Sequence, residues 1–272
     1  MSTSKRSIGP SRSGISASKD GYRHYRIALP LATALAFLAA WELLVELFDV
    51  PEIVLPAPSQ IAAVFFDPRF ALLAEHAVPT SLQTVLGFLC SALLGFMTAI
   101  SLSFSALWRE AVYPYLIAFQ VIPKIALAPL FTVLFGLGFL SQIAFIIFIS
   151  FFPVVVATTT GLANANRDAI HLCRALNAST AQTVFLVRLP YAVDYLFSGL
   201  KIASTMAIIG VVVGEFISSK SGLAYLILKA ASRLEMDLVM AAIIAIVIVG
   251  LLLYGAVLAG ESIVKKWLGA PS

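Results

Sequence analysis

The sequence has few charged residues: Asp, Glu, Lys and Arg make up only 12% of its 272 residues, whereas 60% are hydrophobic. A soluble globular protein carries about 25% charged residues, because its surface must be wetted. Cysteine is also scarce, since Cys90 and Cys173 are the only two and lie far apart in the sequence. They form no disulfide framework and no metal motif. These shortages exclude a soluble enzyme and a zinc module, and they predict an all-α polytopic membrane protein.

The sequence also lacks the groups that chemistry inside a membrane would need. No Asp lies centrally in an apolar run, and we expect His24, His76 and His171 to lie outside the spans. There is no Gly-x-x-x-x-Gly-Lys-Ser/Thr loop to cradle the phosphates of a nucleotide. We therefore expect no enzyme and no cofactor bound by this chain.

The uncharged runs predict about six membrane spans, because a helix needs about 20 apolar residues to cross a bilayer. Pro79, followed by Thr80 and Ser81, predicts a helix start for the second span. The expected spans are residues 27–48, 82–106, a third that begins near 111 and carries Lys124, 139–160, 195–214 and 238–260.

The distribution of positive charge predicts the topology. An even number of spans places both termini on one side, and twelve of the eighteen Lys and Arg residues then fall on that side. The opposite side has four, which are Arg69, Lys220, Lys229 and Arg233. Lys and Arg in short loops stay in the cytoplasm, so both termini are expected there. The asymmetry explains the sequence pI of 9.1 without any nucleic acid.

Two domains are expected from composition. Residues 1–26 are Ser-rich and basic, and they predict a disordered cytoplasmic tail that contacts anionic lipid. Residues 27–267 form the transmembrane domain, and the first span is an uncleaved helix because five further spans follow it.

Small residues recur at helical spacing in two of the spans, which predicts close helix packing. In the second span they are Gly87, Ser91, Gly95 and Ala99. In the fifth span they are Gly199, Ala203, Ala207, Gly210 and Gly214.

The polar segment 164–190, between the fourth and fifth spans, predicts two short helices. Asn166 is a candidate N-cap for the first helix, and Asn177 suits the left-handed residue that ends it. Ser179, with a Gln three residues later, forms a capping box that opens the second helix. Leu189-Pro190 closes the segment, since proline favours the first turn of a new helix.

The same segment carries a spacing that resembles a known family. Aligned on Leu189-Pro190, it follows the pattern Glu-Ala-Ala, three residues, Gly, nine residues, Ile, any residue, Leu-Pro. His171, Leu172 and Cys173 stand at the Glu-Ala-Ala positions, Asn177 at the Gly and Val187 at the Ile. This pattern is similar to that of the membrane-spanning subunits of ABC importers that work with a binding protein. The missing Glu is the clearest departure from it.

Other stretches extend the resemblance over residues 27–267 and resemble one subgroup, the importers of alkanesulfonates, taurine, nitrate, or pyrimidine and flavin vitamin precursors. Pro123-Lys124, ahead of Ala126-Leu-Ala-Pro-Leu130, favours the vitamin-precursor branch. The remaining stretches are 135–136, 151–153, 198–201, 213–215 and 222–227.

The resemblance implies a type I ABC importer permease architecture in the inner membrane. It also implies partners: a dimer of ATP-binding subunits that holds the ATP, an extracytoplasmic solute-binding protein, and a second copy of this chain. The short helix of the 164–190 segment would be a coupling helix seated on the ATP-binding subunit. Its candidate contact residues are Arg167, Asp168, His171, Arg174, Leu176, Asn177, Ala178, Ser179, Leu189 and Pro190.

Ionisable residues in membrane spans are costly unless they are paired or face water, so each one is a candidate functional residue. Lys124 is expected to line the translocation path, with an ion pair to Glu42 or Glu46 as the alternative. Lys201, a second path candidate, is near enough to the cytoplasmic edge to reach it. Glu215 is expected at an outer gate, on the surface where a binding protein docks, or as a plain interface carboxylate.

A different class also fits the spans alone. An ion-coupled secondary transporter or channel would rely on membrane carboxylates, for which Glu42 and Glu46 are the candidates. The 164–190 segment favours the ATP-driven importer, because a self-sufficient transporter has no need of such a segment.

Overall fold

The computed structural model describes residues 19–268, with side chains from residue 28 onward. Over this range the regular structure is helical, with no strand, which confirms the all-α fold. A 3₁₀ turn at Lys124–Leu127 precedes α5, and a π turn at Val184–Arg188 precedes α9. The helices are α1 (Lys19–Leu47), α2 (Pro58–Val64), α3 (Arg69–Ser103), α4 (Ala106–Val121), α5 (Ala128–Phe135), α6 (Phe139–Ala163), α7 (Arg167–Ala175), α8 (Thr180–Thr183), α9 (Leu189–Ser218), α10 (Leu223–Ser232) and α11 (Met236–Trp267).

Five of the helical stretches are long and apolar enough to cross a membrane, and a bent pair brings the number to six. The pair is Ala106–Val121 with Lys124–Phe135, whose axes differ by 88°. About six spans were predicted, and this is confirmed. The five unbroken stretches are Ala28–Leu47, Arg69–Ser103, Phe139–Ala163, Thr180–Ser218 and Met236–Trp267.

The chain forms two compact units, one up to Gln60 and one from Ile61 onward. In the first unit, Glu42 accepts hydrogen bonds from the Ser59 amide at 3.0 Å and the Ser59 hydroxyl at 2.5 Å. Helix α1 begins at Lys19, inside the segment predicted as a tail, and residues 1–18 of that tail lie outside the described range. The boundary between tail and span was predicted from the change in hydropathy near residue 27. The backbone hydrogen bonds of a helix do not depend on hydropathy, so α1 can begin before that change.

In the second unit α6 lies between α3 and α9, in contact with both along its length. The small residues make this possible: a Cβ built at Gly95 would lie 2.8 Å from Val154 Cβ, and one at Gly199 would lie 2.8 Å from Ala157 Cβ. Lipid tails are as apolar as the side chains, so the hydrophobic effect does not drive helices together inside a membrane. Dispersion contacts do so instead, and they become stronger when the backbones approach closely. The predicted small-residue faces are therefore confirmed as packing faces.

The contacts between residues of α3, α6 and α9 show the relative directions of these helices. On α3, Gly87 faces Ile146 and Gly95 faces Val154, so α3 and α6 run parallel. On α9 the order reverses, since Gly199 faces Ala157 whereas Gly214 faces Gln142. One end of the bundle therefore carries the 164–190 segment, and the opposite end carries the first turns of α6 and the last turn of α9.

The bundle contains buried apolar clusters. Phe88, Ile146, Val154 and Val211 belong to one buried cluster, to which α11 contributes Leu253 and Val257. A second cluster joins α3 and α6 to α4, through Leu102, Phe152, Val155 and Leu116.

Two predicted span boundaries are wrong. Helix α3 begins at Arg69 rather than near 82, with Pro79 inside it. A membrane helix accepts an internal proline, because neighbouring groups re-satisfy the freed backbone. The third span is not one straight helix, because α4 ends before Pro123, and Ile122 takes the extended conformation (ψ 133°) that a following proline favours.

Candidate functional site

Helix α7 is capped at its start by a side chain. Asn166 Oδ1 accepts hydrogen bonds from the amides of Asp168 at 2.8 Å and Ala169 at 3.3 Å. Asp168 lies in the first turn, where a negative charge favours the helix dipole, and Arg174 lies in the last turn. The predicted N-cap is confirmed.

The break after α7 has the geometry that Asn177 predicted. Asn177 takes a left-handed conformation with φ 54°, and the Ala178 amide donates to the Cys173 carbonyl at 2.9 Å. The predicted capping box follows at once. The Gln182 amide donates to Ser179 Oγ at 3.2 Å, and the Ser179 amide donates to Gln182 Oε1 at 2.7 Å.

Most of the surface of α7 is exposed in the described part of the chain. None of its residues is buried, and Arg167, Asp168, His171 and Arg174 are all exposed. Two apolar side chains on the same segment are exposed as well, Leu172 by 61% and Leu176 by 73%. A short helix held at both ends, with apolar and charged groups facing outward, is suited to contact another protein.

Beyond Ser179 the chain runs straight into the membrane helix. Pro190 lies in the first turn of α9, as predicted, but Leu189-Pro190 does not close the segment, because Thr180–Ser218 is one continuous helical stretch. The π turn at Val184–Arg188 lies just before Pro190. Proline has no backbone N–H, so the helix lacks one backbone hydrogen bond at this point. Arg188 Nη1 donates to the Ser103 carbonyl at 3.2 Å and so ties this stretch to the end of α3.

Lys124 lies directly after the 88° bend, in the 3₁₀ turn before α5. It is half-buried, and its Nζ lies 5.0 Å from the centroid of the Phe152 ring on α6. Phe119 stacks on that ring at 5.7 Å. Aromatic faces attract a cation, which lowers the cost of a lysine in this apolar setting. The alternative role, an ion pair of Lys124 with Glu42 or Glu46, stays a prediction.

Lys201 is part of an ion-pair network between α9 and α11. Its Nζ lies 2.6 Å from Glu261 Oε2, and Lys265 bridges Glu261 Oε1 at 2.9 Å and Asp194 Oδ1 at 2.8 Å. The side chain therefore does not extend alone to the membrane edge, because a carboxylate on the neighbouring helix binds its ammonium group.

Glu215 is buried, with only 1% of its surface exposed, so it lies on no docking surface. It accepts a hydrogen bond from the Thr80 hydroxyl at 2.6 Å and from the Ala224 amide at 2.8 Å. Gly222, at φ 110°, passes so close that a Cβ there would overlap the Glu215 carboxyl group. Glu215 thus joins α3, α9 and the start of α10.

Sequence reasoning missed a group of buried polar residues at the same end of the bundle. His76 was expected outside the spans but lies in α3, where its Nδ1 accepts from the Gly222 amide at 3.0 Å. Gln83, Gln142 and Ser218 are also buried. They are uncharged, so a search for charged residues passes over them, although two glutamines inside long apolar runs were a visible signal.

Comparison with known proteins places these features in context. Residues 91–261 match the family described as binding-protein-dependent transport system inner membrane component. A probable ABC transporter permease protein of Haemophilus influenzae is 36% identical over 84% of this chain and 93% of its own length. The formylaminopyrimidine transport permease protein ThiX of Halalkalibacterium halodurans is 30% identical over 90% of this chain and 98% of its own length.

The fold has a solved counterpart. A chain of the MetNI methionine ABC transporter, solved in inward-facing conformations, superposes on this chain with a TM-score of 0.54 at 20% sequence identity. The superposition covers 70% of this chain and 98% of the MetNI chain. At that identity the likeness concerns the fold alone, and it confirms the type I permease architecture.

Proposed function

This chain belongs to the family of binding-protein-dependent transport system inner membrane components, and on that premise we propose that α7 is the helix through which an ATP-binding subunit drives it. The chain is a non-enzymatic permease subunit of an ABC importer for small solutes, and its partners are an ATP-binding subunit and a binding protein. Membership of this family argues against the alternative function, an ion-coupled secondary transporter or channel.

One observation supports the role of α7 above the others. The helix is fixed by caps at both ends, yet none of its residues is buried. Exposed Leu172 and Leu176 offer apolar area, and Arg167, Asp168 and Arg174 offer charges that orient a partner. Arg188, just before α9, donates to the Ser103 carbonyl at the end of α3, and we propose that this contact passes a movement of the α7 segment on to both helices.

Copurification tests this role. We expect a soluble ATPase to copurify with the tagged wild-type chain and to be lost from the variant Arg167→Glu/Arg174→Glu. Arg233→Glu, an exposed charge reversal near the opposite end of the bundle, is the matched control and should keep the ATPase. A double variant that retains full binding and ATP-driven uptake would contradict the role of α7.

We assign Lys124 to the translocation path. It lies at the bend of the third span, half-buried and next to aromatic rings, where a polar solute could reach the ammonium group. Lys124→Met should abolish most uptake while the ATPase still copurifies. Lys266→Met, which removes an exposed lysine, should leave uptake unchanged. Equal uptake by the two variants would remove Lys124 from the path.

For the solute, the proposal is a pyrimidine or flavin vitamin precursor, with alkanesulfonates, taurine and nitrate as the other candidates. Besides the formylaminopyrimidine permease, the riboflavin transport permease protein RibX of Chloroflexus aurantiacus is 30% identical over 89% of this chain. Uptake of radiolabelled formylaminopyrimidine, riboflavin, taurine and nitrate, measured in parallel, tests the order. Faster uptake of taurine or nitrate would overturn it.

The assembly proposed is a homodimer in the cytoplasmic (inner) membrane, in contact with lipid and with both termini in the cytoplasm. The second copy is proposed because two such bundles are needed to enclose a translocation path. Cytoplasmic termini follow from six spans and from the excess of Lys and Arg on that side. This chain binds no cofactor, and the ATP is held by the partner subunit.

A further inference from the structure

The first turn of α10 is held by side chains from other helices. Gly222, the residue before α10, makes no cap with a side chain of its own, and its amide donates to His76 Nδ1 at 3.0 Å. The next two amides donate to Thr80 Oγ1 and to Glu215 Oε2, each at 2.8 Å. The first amides of a helix have no partner within it, so acceptors of this kind stabilise its start. We refer to His76, Thr80 and Glu215 as the α10 clasp.

The clasp is buried and joins three helices. His76 is 8% exposed, Thr80 0% and Glu215 1%. His76 and Thr80 lie one turn apart on α3, and the Thr80 hydroxyl, besides accepting from α10, donates to Glu215 Oε1 of α9 at 2.6 Å. Leu223 and Ala224, the residues that the clasp holds, are fully buried. The packing at this end of the bundle therefore depends on acceptors that α10 does not supply itself.

One of these acceptors is lost when it binds a proton. The nitrogen Nδ1 of His76 accepts a hydrogen bond only while it is unprotonated, and protonation would turn it into a donor that faces the Gly222 amide. The hydroxyl of Thr80 and the carboxyl group of Glu215 keep oxygen atoms that can accept. Histidine is the side chain whose unperturbed charge changes between about pH 5 and 8. A proton on His76 therefore opens the clasp at its first contact.

Charged and titratable groups from four helices lie around His76 at this end of the bundle. They are Arg69 and Glu75 of α3, Glu215 of α9, Tyr225 and Lys229 of α10, and Asp237 of α11. Arg69 and Asp237 form an ion pair with each other. The nearby carboxylates attract a positive charge on His76 and Lys229 repels it, but neither restores the acceptor for the Gly222 amide. The hydrogen bond is therefore lost on protonation whichever of these charges dominates.

We propose that the α10 clasp closes the outer end of the bundle and that protonation of His76 opens it. This inference rests on the proposed function. Under the topology proposed above, the clasp lies at the outward-facing end, so it responds to external acid. An opened clasp frees the first turn of α10 and with it the buried Leu223 and Ala224. The outer end then no longer closes tightly, and less solute is carried inward for each ATP hydrolysed.

The first test measures thermal midpoints of the full chain alone in mild detergent. His76→Asn places Oδ1 as many bonds from the backbone as Nδ1 and keeps an acceptor at every pH. Between about pH 7.5 and about pH 5, the wild-type midpoint should fall by at least about 3 °C more than that of His76→Asn, because only the wild type loses the hydrogen bond. His171→Asn, an exposed position on α7, should follow the wild type. Parallel pH profiles of the wild type and His76→Asn would overturn the proposal even if ATP-driven uptake is intact.

The second test measures solute carried per ATP hydrolysed by the complete complex in proteoliposomes, with radiolabelled riboflavin or the fastest of the four solutes above. When only the external pH is lowered from about 7.5 to about 5.5, this ratio should fall at least threefold for the wild type and stay nearly constant for His76→Asn. Thr80→Val, which removes a clasp acceptor, should give a low ratio at both pH values, and Thr80→Ser should restore it. An equal fall in the wild type and His76→Asn would overturn the role of the clasp in transport. Uptake that needs no ATP, together with diverging midpoints in the first test, would instead overturn the proposed function and leave the proton-sensitive clasp standing.

Discussion

A methyl group at Gly199 should destabilise the bundle measurably. The added Cβ would lie 2.8 Å from Ala157 Cβ, 2.9 Å from the Pro153 carbonyl oxygen and 3.2 Å from Val154 Cα. Nonbonded carbon atoms prefer separations of about 3.5–4.0 Å, so α9 and α6 must separate by roughly 0.7 Å or more at this point. The obstacles are backbone atoms and a Cβ, which cannot rotate away. Overpacking of this kind costs about 1–3 kcal/mol.

The matched control is Gly255→Ala. Gly255 is exposed on α11, and a Cβ there would meet no atom within 4 Å. Both substitutions gain the helix propensity of alanine, about 1 kcal/mol, so their difference isolates the contact with α6. Thermal unfolding in mild detergent should place Gly199→Ala below Gly255→Ala by about 2–12 °C, since 1 kcal/mol corresponds to about 2–4 °C at this size. Equal midpoints for the two variants would refute the close approach of α9 and α6.

Three further predictions concern other elements. Asn177→Gly should keep ATPase copurification and uptake, and Asn177→Val should lose most of both, because a β-branched residue is strained at φ 54°. Gly222→Ala should lower the thermal midpoint more than Gly138→Ala does. Both positions have φ 110°, but only at Gly222 would a Cβ overlap Glu215, so equal shifts would contradict that contact. Lys201→Met should lower the free energy of unfolding by about 1–3 kcal/mol, and by less in a Glu261→Gln background, because the ion pair is already lost there. Thermal midpoints of the two single variants and the double variant form a double-mutant cycle, and no coupling between the two positions would disprove the ion pair.

Much of the candidate site followed from local rules. The caps at Asn166 and Ser179 and the left-handed Asn177 depend on hydrogen bonds between residues within a few positions of each other, so the sequence contains all that they need. The end of the segment was harder to predict, because the helical ladder passes through Pro190 by way of a π turn.

The sequence by itself determined the membrane class, the number of spans, the small-residue packing faces and the shape of the α7 segment. These depend on composition and on short-range periodicity, which a linear chain displays directly. Only the tertiary structure decided which charges are paired, since the ion pair of Lys201 with Glu261 joins two helices. It likewise placed His76, Gln83 and Glu215 together at one end of the bundle, because groups far apart in sequence meet only when helices pack, and no local pattern records which faces will meet.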